Sequence, residues 1–105
     1  MSEAVFTTVA RLADVPSGEV RKVVAGDRSI LLCHSQDRIF AIENKCSHAD
    51  EALECGRMRQ GWISCPAHGA RFELASGRAM NPPAKEPIRT FEVRIDGDVV
   101  QVALG

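Results

Sequence analysis

Apolar residues recur along this chain in short alternating runs bounded by turn residues, and no segment sustains a helical apolar period for more than about 10 residues. The pattern predicts strands over Phe6 to Ala10, Val20 to Val24, Ser29 to His34, Arg38 to Glu43, Arg59 to Ser64 and Ala70 to Leu74. Turn signals at Gly18, Gly26-Asp27, Gly61 and Ser76-Gly77 lie near or between them. Towards the end, Asp96-Gly97 predicts a two-residue hairpin turn, because glycine accepts positive φ without a Cβ clash. That register sets Val93 opposite Val100 and Phe91 opposite Val102, with the apolar pairs on one face. The fold class these elements predict is all-β, built of antiparallel strands.

At 105 residues the chain is expected to be one domain, residues 1–105. A domain of this size buries roughly two-thirds of the surface its unfolded chain exposes, enough to fold without disulfides. Its 13 basic and 14 acidic residues leave a formal net charge of -1, which argues against a nucleic-acid field or a polybasic membrane anchor. Met1-Ser2-Glu3-Ala4 starts acidic and does not read as an export leader, and no apolar run is long enough to span a bilayer. A reducing cytoplasm is therefore the expected compartment, and ligand-spaced cysteines there point to metal rather than disulfides.

The candidate chemistry lies in Cys46-Ser47-His48 and, after 16 intervening residues, Cys65-Pro66-Ala67-His68. Each cluster offers one thiolate and one imidazole within one tight loop. Two soft anionic donors and two neutral ones suit a [2Fe-2S] centre with both cysteines on one iron and both histidines on the other, the mixed ligation of a Rieske centre. Such a centre is neutral when oxidised, whereas four thiolates would make it a dianion, so the histidines make an added electron easier to accept. That electron is expected on the histidine-bound iron, with His48 and His68 as its exit. The competing site is structural zinc, which also takes two sulfurs and two nitrogens, although Cys-x-His spacing departs from finger spacing.

With these motifs the chain resembles a Rieske ferredoxin of bacterial multicomponent aromatic-ring-hydroxylating dioxygenase systems. Cys46-Ser47-His48 and Cys65-Pro66-Ala67-His68-Gly69 match the two cluster loops, and Asn81-Pro82-Pro83-Ala84 matches the proline loop that covers the cluster in that family. The resemblance implies a small sandwich of antiparallel sheets with a cluster-binding subdomain inserted. It also implies one [2Fe-2S] cluster on Cys46, His48, Cys65 and His68, each histidine binding through Nδ1 with Nε2–H at the surface. It further implies a soluble monomeric carrier, not an enzyme, taking single electrons from an NADH-dependent flavoprotein reductase to a terminal Rieske oxygenase in aromatic compound degradation. The alternative is a small redox subunit of a stable oxidoreductase complex. The chain has no Gly-x-Gly-x-x-Gly fingerprint, and His34 alone cannot build a mononuclear iron site.

Two departures bear on the potential. Respiratory Rieske proteins have an extra cysteine in each loop, where this chain has Glu51 and Ala67, so no bridge can form beside the cluster. Where those proteins have a serine and a tyrosine whose hydroxyls donate to sulfur, this chain has Ala70 and Phe72. Fewer donors leave more negative charge on sulfur, so the expected potential is near the low end of the roughly -150 to +300 mV Rieske range.

The remaining chemistry-bearing residues have plainer expectations. Cys33, in the run Ile30-Leu31-Leu32-Cys33, reads as a core residue, Cys55 as an ordinary thiol, and His34 as a strand end. Trp62, Phe40, Phe72 and Phe91 read as core or cluster shield. Gly69 is expected to let backbone approach a cluster sulfur. Asp50, Glu51 and Glu54 are candidate docking charges for redox partners, with Lys45 and Arg71 as candidates of opposite sign.

Overall fold

The computed structural model describes residues 5–46, 52–66, 69–81 and 85–104, with Cys55 described by its backbone alone. Among these residues it forms strands β1 (Phe6–Arg11), β2 (Val20–Ala25), β3 (Arg28–Ser35), β4 (Arg38–Glu43), β5 (Arg57–Arg59), β6 (Trp62–Ser64), β7 (Arg71–Glu73), β8 (Thr90–Phe91), β9 (Val93–Asp96) and β10 (Val99–Ala103), with short 3-10 turns at Leu12–Asp14 and Leu53–Cys55. They make three antiparallel sheets, ordered β1-β10-β9, β2-β3-β4-β8 and β5-β6-β7. The all-β expectation holds. The β5-β6-β7 sheet is inserted between β4 and β8 in the chain, and the two ligand motifs belong to this insertion.

The run Ile30-Leu31-Leu32-Cys33 explains how the layers stack. Successive side chains of a strand point to opposite faces, so a run without polar alternation must be covered on both. Ile30 and Leu32 join one core with Val15, Ala41, Phe91, Val100 and Val102. Leu31 and Cys33 join another with Ile42, Leu53, Ile63, Phe72 and Leu74. All four residues of the run are fully buried. Each large apolar side chain so placed stabilises the fold by roughly 1.5–3 kcal/mol relative to exposure. The middle sheet thus has the β1-β10-β9 layer on one face and the inserted sheet on the other.

Ser35 fastens the insertion to that middle sheet. Its hydroxyl accepts the Gly61 N–H at 3.0 Å and donates to the Arg59 carbonyl at 3.4 Å, and the Gly61 carbonyl in turn accepts the Leu74 N–H at 2.9 Å. The hairpin tip beside Ser35 is Gln36-Asp37, with φ of 54° and 61°. Neither residue is a glycine, so the ordinary glycine signal of such a turn is missing from the sequence.

Two expectations change in detail. Arg59 to Ser64 is not one strand but the hairpin β5-β6, which turns at Gln60-Gly61 with Gly61 at φ 81° and Arg59 paired with Trp62. The last hairpin turns at Gly97-Asp98, so Val93 pairs with Val102 and Ile95 with Val100. Phe91 instead pairs with Ala41 in the neighbouring sheet. Gly97, at φ 64°, stands first in the turn as in type II′ geometry, which asks for glycine there. The two-residue slip preserves which residues face the core, so hydrophobic alternation alone could not detect it.

Gly56 has a steric role. Its φ of -75° is open to any residue, but a Cβ there would come 2.0 Å from the Ser64 carbonyl oxygen and 3.0 Å from that of Leu53. Gly56→Ala must push β5 away from β6, and the expected loss is at least about 2 kcal/mol in chemical denaturation. A loss below about half a kcal/mol would show that the strands part freely.

Candidate metal centre

Cys46 follows β4 and Cys65 follows β6, so two separate loops deliver a thiol each to the same core. Cys46 is 0% and Cys65 1% exposed, packed in the cluster that includes Leu53, Ile63, Ala70 and Phe72. The other two expected ligands, His48 and His68, lie outside the described residues, as do Ser47, Asp50, Glu51, Ala67 and the segment Pro82 to Ala84.

The second loop closes on itself. The Cys65 N–H donates to the Ala70 carbonyl at 2.7 Å, and the Cys65 carbonyl accepts the Gly69 N–H at 3.0 Å. Gly69 has φ 72° with open space where a Cβ would stand, so it is the left-handed backbone and not crowding that favours glycine there. Its N–H is used within the loop, by the Cys65 carbonyl. Asn81 then ties the proline loop to this one: its Oδ1 accepts the Arg71 N–H at 2.7 Å and its Nδ2 donates to the Gly69 carbonyl at 3.4 Å.

The first loop is closed by a different amide. Asn44, 7% exposed and two residues before Cys46, accepts the N–H groups of Leu53 and Glu54 on Oδ1 at 2.9 and 3.0 Å. Its Nδ2 donates to Ser29 Oγ at 3.2 Å and to Glu54 Oε1 at 3.3 Å. One side chain therefore holds both ends of the stretch 45–52. Sequence reasoning missed Asn44 and used Asn81 only as a loop marker; the available signal was a polar residue between a strand end and a ligand, where a buried amide must find partners.

Several other candidates are placed by their contacts. Glu54, a candidate docking charge, faces Lys22 Nζ at 3.8 Å as well as Asn44, because the loop returns its exit to β2. Arg71 lies over the half-buried Trp62 ring, 5.0 Å from its centroid, beside the second loop. Phe72 and Phe91 are core residues. His34 Nδ1 lies 2.7 Å from the Val15 carbonyl, an acceptor only, so that nitrogen carries the proton.

Two buried thiols brought by two closed loops are the soft half of a donor set that suits iron and sulfide. Residues 5–92 match the Rieske [2Fe-2S] domain. The chain belongs to the Rieske family. Among relatives of this Rieske chain, the ferredoxin component of biphenyl 2,3-dioxygenase from Rhodococcus jostii (strain RHA1) is 37% identical over 99 residues, covering 94% of this chain and 92% of that protein. The ferredoxin component of the naphthalene 1,2-dioxygenase system from Pseudomonas aeruginosa is 32% identical over 104 residues, 99% of each. Of solved structures, the ferredoxin of carbazole 1,9a-dioxygenase from Nocardioides aromaticivorans IC177 superposes with a TM-score of 0.90 at 28% identity, over 95% of this chain and 98% of that one. Among the described residues no helix is long and apolar enough to cross a membrane.

Cys33 shares the cysteine-containing core but is reached from β3, and burial pushes its thiol up from 9.0 to about 12. The folded Rieske chain keeps a proton there that the unfolded chain sheds, so this contribution is complete below about pH 9 and is lost as pH rises towards 12. In denaturant titrations between about pH 8 and 11, Cys33→Ala should lose stability less steeply than the parent. Equal slopes would contradict a buried neutral thiol at this position.

Proposed function

We propose that this chain is a single-domain, low-potential electron carrier holding one [2Fe-2S] cluster. It takes electrons from an NADH-dependent flavoprotein reductase and passes them to the terminal Rieske oxygenase of an aromatic-ring dioxygenase system. The observation that carries this reading is the arrival of Cys46 and Cys65, from separate loops, in one buried core. Relatives matching nearly the whole chain are ferredoxin components of such systems, and a solved complex of reduced oxygenase with oxidised ferredoxin, from carbazole 1,9a-dioxygenase, contains a chain that superposes with a TM-score of 0.88 at 27% identity. Transient pairing with both partners, a monomeric state and a cytoplasmic setting belong to the same proposal.

When bound, the cluster supplies storage for one electron at a time. The chain supplies the rest. Cys46 and Cys65 would bind one iron as thiolates and His48 and His68 the other as neutral imidazoles. Leu53, Ile63, Ala70 and Phe72, all fully buried in one cluster with both cysteines, keep water from the thiolate side. Ala70 and Phe72 are fully buried and carry no hydroxyl, so neither side chain can donate to sulfur, which favours a low potential.

Iron and acid-labile sulfide in equal amounts, with a split visible spectrum, are expected of the purified protein. A colourless protein with stoichiometric zinc overturns the proposal. Ala70→Ser should raise the potential, by an amount on the order of tens of millivolts for one new hydrogen bond to sulfur. An unmoved potential in voltammetry would reject sulfur hydrogen bonding as the controlling factor.

A further inference from the structure

We infer that Asn44 is a positioning residue for the first ligand loop, acting as a detached cap that latches the loop's exit to its entrance; this rests on the reading that Cys46 and His48 hold the cluster. The 3-10 turn Leu53–Cys55 starts after Ala52, which offers no side-chain cap. Its first N–H groups would be left without acceptors, a recurrent cost at helix starts that a side-chain oxygen normally removes from the adjacent position. Here the oxygen comes from Asn44, nine and ten residues away in sequence, at 2.9 and 3.0 Å.

The placement links capping to ligation. Leu53 packs fully buried in the same cluster as Cys46, and its N–H is one of the two that Asn44 holds. The Nδ2 side of the amide is held as well, by Ser29 Oγ on β3 and by Glu54 Oε1, so the amide cannot turn over without losing all four bonds. Releasing the Oδ1 bonds loosens the exit of the stretch 45–52, which keeps the burial of Leu53 and the pairing of Glu54 with Lys22. The cluster must then carry more of the loop closure, which raises the rate at which ligands on the loop let go.

The test uses the full chain loaded with its cluster, as wild type, Asn44→Ala, and the pair Asn44→Asp with Glu54→Gln, which keeps the acceptor and restores a donor opposite it. Two quantities are read: the half-time of visible bleaching in excess ferrous chelator, and hydrogen–deuterium exchange at Leu53 and Glu54 compared with β3. Asn44→Ala should bleach about tenfold faster and lose protection at Leu53 and Glu54 with β3 unchanged, whereas the paired variant stays within about twofold of wild type. Wild-type bleaching by Asn44→Ala, or a paired variant as fast as Asn44→Ala, overturns the inference. If Asn44→Ala does not fold, exchange in the wild type decides: unprotected Leu53 and Glu54 amides overturn the latch, and protection that breaks at the rate of bleaching supports it. A wild-type chain that takes up no cluster refutes the proposed function instead, and exchange of the same two amides still reports on the latch.

Discussion

Burial of β3 on both faces is the constraint on which the rest of the structure depends. A strand with Ile30 and Leu32 on one side and Leu31 and Cys33 on the other is stable only between two layers. One layer is the β1-β10-β9 sheet. The other has to be supplied by the segment between β4 and β8, and the cysteine loops are built into that segment. The core that places Cys46 and Cys65 is therefore the same core that completes the sandwich, and the site cannot be separated from the stability of the fold.

Short strands alone would hold such loops poorly, because β5, β6 and β7 offer few ladder bonds. Side-chain amides and a hydroxyl make up the difference. Ser35 joins the β5-β6 turn to β3, Asn81 joins the start of the proline loop to Gly69 and Arg71, and Asn44 joins the two ends of the first loop. Each of these polar side chains serves backbone groups, and for the buried Ser35 and Asn44 satisfying such groups is worth more than it would be at the surface. Precision at the thiols follows from polar contacts outside the apolar cluster.

The fold class and the pairing of Cys46 with Cys65 in one core were legible because they depend on local signals. Alternation marks a half-covered strand, an unbroken apolar run marks β3, and Cys-x-His with Cys-x-x-His is a donor pattern in itself. What escaped was fixed by contacts between distant residues. Gly61 was a visible turn signal, yet the split of Arg59 to Ser64 into a hairpin depends on its pairing across the turn. Gly97 rather than Asp96 opens the final turn because positive φ is needed there, and a two-residue slip leaves the hydrophobic pattern intact. Glu54 reads as a surface charge in one dimension but faces Asn44 and Lys22 in three.

The central claim is that nitrogen and sulfur ligands are divided between two irons. Pulsed electron paramagnetic resonance on the dithionite-reduced protein, with histidine carrying ¹⁵N, tests it most directly. Two strongly coupled nitrogens whose frequencies move with the isotope are predicted, because His48 and His68 would bind the iron that holds the added electron. A reduced spectrum of all-thiolate type, without couplings that respond to labelled histidine, would contradict it.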